Sequence, residues 1–304
     1  MNNLETRLET KITLDNCKES LIQQIGKIVG ISLAFIKREN IKHALILRDK
    51  YDDFIEIINF INNSGRNNIN PFLHKVKKEI NKIKSKKWYK NIDMEKITSK
   101  RAELIKLKTN TVKNYSNWGH DMKYFLSIDI RSANYTVLKE ISNGEIQDDT
   151  WSDYLKRIYP NDTRTERSKN INEGKNGLVT KIPDCIYESK WFRQFILSDL
   201  KKLQVLWEIK NLNMLKQVHD LNLINTICVN SDEVIIFVDN YDEADKIVKL
   251  ISPDETTFRV KKFQLKKIDG SAKNCMLKIF DDNSKVIINC KPEDYNILYK
   301  TYVL

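Results

Sequence analysis

The sequence predicts an α+β protein: an antiparallel sheet with helices on one face, preceded by a helical, basic N-terminal region. Three observations predict it. Apolar residues recur at helical spacing through the first third of the 304 residues. From Tyr124 the period shortens to that of strands. The charge is also uneven, since residues 1–110 carry 23 Lys and Arg against 13 Asp and Glu, a net +10 of the total +11. The expected division is a helical basic region over 1–115 and a sheet-bearing domain over 116–304, with a small helical segment at about 150–220 inside it.

The elements follow in order. Leu21, Ile25, Ile28, Ile31 and Phe35 form one helical stripe, and Leu47, Tyr51, Phe54, Ile58 and Ile61 form a second with acids opposite. Asn70-Pro71 is expected to open a third helix as N-cap and first-turn proline, with Phe72, Val76 and Ile83 on its apolar side. Tyr124 to Ile130 is a short apolar run interrupted by Asp129, which reads as a central strand, and a helix is expected through Val137-Leu138. Asn161 to Gly177 is polar and reads as a loop. Tyr187 to Asp220 lacks Gly and Pro and reads as largely helical. Ile224 to Val229, Asn230 to Glu233 and Val234 to Val238 give strand, tight turn and strand. A helix over Asp242 to Ile251, a strand over Phe258 to Ile268, and strands near Met276–Phe280 and Lys285–Asn289 complete the plan.

Composition removes several classes of function. At 41% hydrophobic residues the chain can build a core, yet no apolar run approaches the ~18 residues that span a membrane. Met1 to Thr10 does not read as a secretory signal. Cys17, Cys185, Cys228, Cys275 and Cys290 are unclustered in sequence, and the four histidines lack zinc-ligand spacing. None of the eight glycines forms a dinucleotide or phosphate-loop motif. The expectation is an intracellular, soluble, basic protein without a membrane partner. Richness in Lys, Asn and Ile points to an AT-rich genome, and the small size and composition suit a viral or plasmid origin.

Two acidic positions carry the chemistry. Asp129 ends an apolar strand, and Asp232-Glu233 sit at the tip of an apolar hairpin. A carboxylate among strand residues is costly to bury without a compensating cation. Strands lying side by side would bring the acids together, where each raises the pKa of the others and a divalent ion such as Mg²⁺ relieves the repulsion. Two such ions activate a hydroxyl and stabilise a leaving pyrophosphate.

Asp129-Ile-Arg-Ser-Ala-Asn-Tyr-Thr-Val-Leu resembles motif A of polymerase palms, most closely that of family A DNA polymerases. Val229-Asn-Ser-Asp232-Glu233-Val-Ile-Ile-Phe-Val238 resembles motif C, with Ser231 where that family has histidine. Ser189-Lys190-Trp-Phe-Arg193-Gln194-Phe-Ile-Leu is similar to the fingers helix that holds the incoming triphosphate, although the family's Arg-x-x-x-Lys spacing is not kept. The resemblance covers roughly residues 120–260. It implies a compact palm with a small fingers region, a thumb-like N-terminal part and no proofreading exonuclease. It also implies a template-directed nucleotidyltransferase, DNA polymerase-like, using Mg²⁺ or Mn²⁺ on nucleoside triphosphates and a template-primer, with replication accessory proteins as further partners. Asp129 and Asp232 would hold the metals and Glu233 would assist. The position facing the sugar falls near Asn134.

Lys190 and Arg193 lie three apart and share a helix face, with Lys201 and Lys202 further along. That face suits the β and γ phosphates. Arg131 and Gln194 are further candidates for the nucleotide, and the loop residues Arg164, Arg167, Lys169 and Lys175 for template or triphosphate. Lys75 to Lys90 holds eight lysines in sixteen residues. Lys75, Lys78, Lys82, Lys86 and Lys87 would track phosphate, with Trp88 stacking on an unpaired base.

Other readings stand beside these. Asp129 also suits a cap for the following helix, Asp232-Glu233 suit a plain turn, and the lysine run suits a solvated face. An RNase H-like nuclease or integrase core would need a third acid, for which Glu188 and Asp245 are available. A non-catalytic nucleic-acid-binding replication accessory would need none.

Overall fold

The computed structural model describes residues 12–64, 69–110, 115–116, 118–160, 182–221, 227–229, 232–271 and 275–302. The chain is α+β. Helices α1 (Glu19–Val29), α2 (Arg38–Leu47), α3 (Tyr51–Ser64), α4 (Ile69–Ser85), α5 (Lys87–Lys90) and α6 (Met94–Leu104) precede strand β1 (Tyr124–Ile130). Then come α7 (Ala133–Ile141), α8 (Trp151–Ile158), α9 (Asp184–Glu188), α10 (Lys190–Leu197) and α11 (Lys201–Asp220). Strands β2 (Ile227–Val229) and β3 (Glu233–Val238), helix α12 (Tyr241–Ile251), strands β4 (Phe258–Lys267), β5 (Met276–Phe280) and β6 (Lys285–Ile288), and helix α13 (Asp294–Tyr302) follow.

The six strands lie in the order β2-β3-β1-β4-β5-β6, and every neighbouring pair is antiparallel. β2 therefore runs parallel to β1 with β3 inserted between them, a split βαβ arrangement. The register follows from the two-residue period of the side chains. Leu126, Ile128, Val234, Ile236 and Val238 face the back, where Leu212, Leu215 and Val218 of α11 and Ala244 and Ile247 of α12 cover them. Phe125, Ile235, Phe263, Leu265 and Met276 face the front and pack with Tyr115 and Phe237. Helices thus cover one face, as expected, and the front keeps an aromatic floor in which Phe125 and Phe263 stack at 5.3 Å between ring centroids.

The helical stripes of the first third extend past the helices they predict. α1 stops at Gly30, whose φ of 84° is left-handed, and Ile31 N–H reaches back to Gly26 O at 2.8 Å. That is a Schellman closure, which a stripe of apolar residues cannot reveal. Ile31 is still buried, but Phe35, read as part of the same stripe, is 93% exposed. The second stripe is broken likewise: Asp49 is left-handed, and Lys50 N–H bonds Leu45 O at 2.8 Å, so Leu47 and Tyr51 belong to different helices. α4 starts at Ile69, one residue ahead of the expected cap. Tyr187 to Asp220 is three helices, because Ser189 caps α10 and the chain turns at Ser198–Leu200. The expected loop over 161–177, the turn residues Asn230 and Ser231, and the start of the hairpin at 224–226 lie outside the described residues.

The N-terminal helices share one core with the segment that follows β1. Phe54, Phe72, Val76 and Ile80 pack with Trp151, Tyr154, Tyr187 and Phe192 in a single buried cluster. Phe72 stacks on Phe192 at 5.3 Å and meets Tyr187 edge-on at 5.7 Å. α6 packs against α11 behind the sheet, and α13 returns to α2, where Tyr299 stacks on His43 at 4.0 Å.

The sharpest packing constraint is at Gly26. A Cβ there would stand 2.9 Å from Ile31 O and from Cγ and Cδ1 of Leu33. Ala favours a helix over Gly by about 1 kcal/mol, yet overpacking against backbone costs about 1–3 kcal/mol. Gly26→Ala is therefore expected to lower the urea midpoint; a higher midpoint would show that the approach is not tight.

Candidate functional site

The front face changes character at one end of the sheet. Along β1, Phe125, Ser127 and Asp129 share that face, passing from apolar to acidic. Asp129 pairs in register with Glu233 of β3 on one side and with Arg259 of β4 on the other. Glu233 is therefore the first residue of β3 and not part of the turn; the ladder runs one residue further than the sequence suggests. Asp232 precedes it, and its carbonyl accepts Ile130 N–H at 3.0 Å. The three acids thus come together across β1 and β3.

Hydrogen bonds and charge set their state. Ser127 Oγ donates to Glu233 Oε1 at 2.5 Å. Arg259 is ion-paired with Asp129. Lys190 Nζ stands 3.9 Å from Asp232 Oδ2. Burial pushes the Asp129 carboxyl above the usual range; Arg259 opposes this, and the charges of Asp232 and Glu233 add to it. Arg193 is partly buried, and desolvation pulls its guanidinium below the usual range while Asp232 and Asp129 hold it up. Lys261 and Lys278 are lowered by burial and feel both Asp129 and Glu233. Lys278 Nζ lies 3.8 Å from the centroid of Phe263. The site is a carboxylate cluster walled by two arginines and three lysines.

Local structure explains how α10 delivers its cations. Ser189 Oγ accepts Phe192 N–H at 3.1 Å as N-cap and donates to Ile28 O of α1 at 2.6 Å. With Phe192 seated on Phe72, the opposite side of α10 presents Lys190 and Arg193 to the acids. Beyond β1 the chain reverses sharply, with Ser132 left-handed at φ 46°. A non-glycine residue there costs about 1 kcal/mol or more.

The remaining expected residues are placed as follows. Arg131 Nε donates to the carbonyls of Glu255 and Phe258 at 3.0 and 3.1 Å, which ties the end of β1 to the start of β4. Asn134 is in the first turn of α7 and partly exposed, and Gln194 is exposed on α10. Lys202 is not on the α10 face; its Nζ donates to the carbonyls of Tyr89, Lys90 and Ile92 at 3.0, 3.0 and 3.3 Å. In the lysine run, Lys82 pairs with Glu79 at 2.6 Å and Lys86 with Glu145 at 2.6 Å, while Lys75 sits over the Tyr159 ring. Lys78 and Lys87 are exposed, and Trp88 packs partly buried against the N-terminal core. Phe195 is 43% exposed and stacks on Trp191. Glu188 is exposed at the end of α9, and Asp245 pairs with Lys262 at 3.0 Å on the other side of β4.

Sequence reasoning missed Ser127, Arg259, Lys261 and Lys278. The available signal was alternation: Ser127 is two residues from Asp129, and Arg259, Lys261 and Phe263 alternate along β4, so each set shares a face. No family model matches the chain, and curated proteins and solved structures gave no significant match either. No helix among the described residues is long and apolar enough to cross a membrane.

The raised Asp129 pKa has a consequence for stability. The folded state keeps the proton where the unfolded chain has released it, so this group's contribution to stability falls as pH rises above the usual Asp range. Asp129→Asn removes the penalty. The variant is expected to melt about one to a few degrees above the wild type at neutral pH without metal, the gap closing toward pH ~4. A variant that melts lower at neutral pH would mean that the Arg259 pair outweighs burial and repulsion.

Proposed function

We propose that the chain is a template-directed nucleotidyltransferase, DNA polymerase-like, whose palm is the sheet formed by β1 to β4. The observation that carries this reading is the meeting of Asp129 with Glu233 and Asp232 under the cations of α10. Three carboxylates at one end of a sheet are a hard-oxygen donor set, which suits Mg²⁺ or Mn²⁺ better than softer ions. Asp129 and Asp232 would hold the metals with Glu233 beside them, and bound metal would supply activation of a primer hydroxyl and neutralisation of departing pyrophosphate.

The residues of the chain do the rest. Lys190 and Arg193 bind the triphosphate, where charge builds during phosphoryl transfer. Ser127 fixes the Glu233 carboxylate. Arg259 pairs with Asp129, and a metal held by that carboxylate would leave the guanidinium available to phosphate. Asn134, at the start of α7, faces the sugar. Lys261 and Lys278 extend the positive wall toward the nucleic-acid backbone. The N-terminal helices hold α10 in place, through Ser189 on Ile28 and Phe192 on Phe72. The split βαβ connectivity and the order of the three motifs support the same reading.

Primer extension on a recessed template, with deoxy- and ribonucleotides tested separately in Mg²⁺ and in Mn²⁺, tests it. Nucleotide-dependent extension is expected, and Asp129→Ala and Asp232→Ala should each reduce it by at least about 10²–10³-fold while template-primer binding persists. Arg193→Ala should raise the KM for nucleotide by about tenfold or more. Cleavage of the labelled strand without nucleotides would replace this reading with a nuclease. Binding without extension or cleavage would replace it with an accessory protein.

A further inference from the structure

Away from the acidic site, the sheet brings together three residues that the sequence keeps apart. Cys275 directly precedes β5, Cys290 follows β6, and Asp294 opens α13. The β5–β6 register pairs Met276 with Ile288, which carries the two cysteines to the same end of the hairpin. The two sulfurs and a carboxylate oxygen all lie within 4.8 Å of one another. Cys275 is fully buried, and Asp294 is 2% exposed. One Asp294 oxygen accepts Lys291 N–H at 2.9 Å, which fixes the carboxylate at the head of its helix.

We propose that Cys275, Cys290 and Asp294 form a zinc site. The ligand chemistry selects the ion: two sulfurs favour a thiophilic, borderline-soft cation over Mg²⁺ or Ca²⁺. The geometry suits it, since ligand atoms about 2.0–2.3 Å from a tetrahedral zinc stand roughly 3.3–3.8 Å apart. Small side-chain adjustments bring the three ligands to that spacing. Two thiolates and a carboxylate in a partly buried cluster repel one another, and a divalent cation converts the repulsion into attraction. Water is the fourth ligand. Cys290 and Tyr295 line a cleft of about 460 Å³ together with Arg48 and Ile288, which leaves room for it.

The ion would clamp three elements: the start of β5, the end of β6 and the first turn of α13. Through α13 the clamp extends to α2, because Tyr299 stacks on His43. Its role is to join these elements, and it is independent of the chemistry at Asp129. Each thiol releases its proton to solvent on binding, so uptake strengthens as pH rises.

Cobalt provides a direct readout. The full chain, reduced and stripped of metal, is titrated with Co²⁺ and then challenged with Zn²⁺. One equivalent of Co²⁺ is expected to give a thiolate-to-cobalt charge-transfer band, which one equivalent of Zn²⁺ abolishes. Cys275→Ser and Cys290→Ser should each remove most of the band. Asp294→Asn keeps a side-chain oxygen that accepts Lys291 N–H, so it folds, and should weaken Zn²⁺ binding by at least about tenfold. Wild-type protein that shows no such band overturns the proposal, as does a band unchanged in all three variants. Recovery of Cys275 and Cys290 as a disulfide with no metal uptake overturns it too.

Discussion

The arrangement depends on one stretch of hydrogen-bond ladder. β1 is flanked on both sides, and at its single acidic residue the register sets Glu233 on one edge and Arg259 on the other. A slip of one residue would turn Asp129 toward the apolar side chains of Leu212 and Ala244 on the back. The apolar alternation of Leu126 and Ile128 prevents that slip, because those side chains fill the space against α11 and α12. Hydrophobic burial on one side of the sheet thereby fixes the charge constellation on the other.

The chain's own cations and hydroxyls offset much of that constellation's charge. Arg259 offsets Asp129, Lys190 approaches Asp232, and Ser127 satisfies one oxygen of Glu233. The balance is incomplete at Asp129, where burial and neighbouring charge outweigh the arginine. The helices of the first hundred residues contribute from a distance, since they seat α10 and so set where Lys190 and Arg193 stand.

Much of the fold was legible in the sequence because its determinants are local. Strands β1, β3, β4, β5 and β6 and helix α12 follow from two- and 3.6-residue periods, and the acids stood out because carboxylates are rare inside apolar runs. Most of the failures share one cause: they concern contacts between elements distant in sequence. Nothing around Arg259 says that it will sit opposite Asp129, and nothing around Cys290 announces Cys275. Lys202 and Arg193 look alike as cations on helices, yet one clamps three carbonyls and the other faces carboxylates. The helix ends at Gly30 and Asp49 were hidden for a different reason. There a left-handed residue overrides an apolar stripe that continues past it.

The return of α13 to α2 bears on how the chain acquires its structure. His43 finds its stacking partner at Tyr299, and Arg48 bonds the carbonyl of Ile287. Contacts spanning more than two hundred residues cannot form while a ribosome is still reading the middle of the message. During synthesis α2 waits with an uncovered flank, exposed to chaperones and to neighbouring chains, until the last sheet strand and the helix after it emerge to close over it.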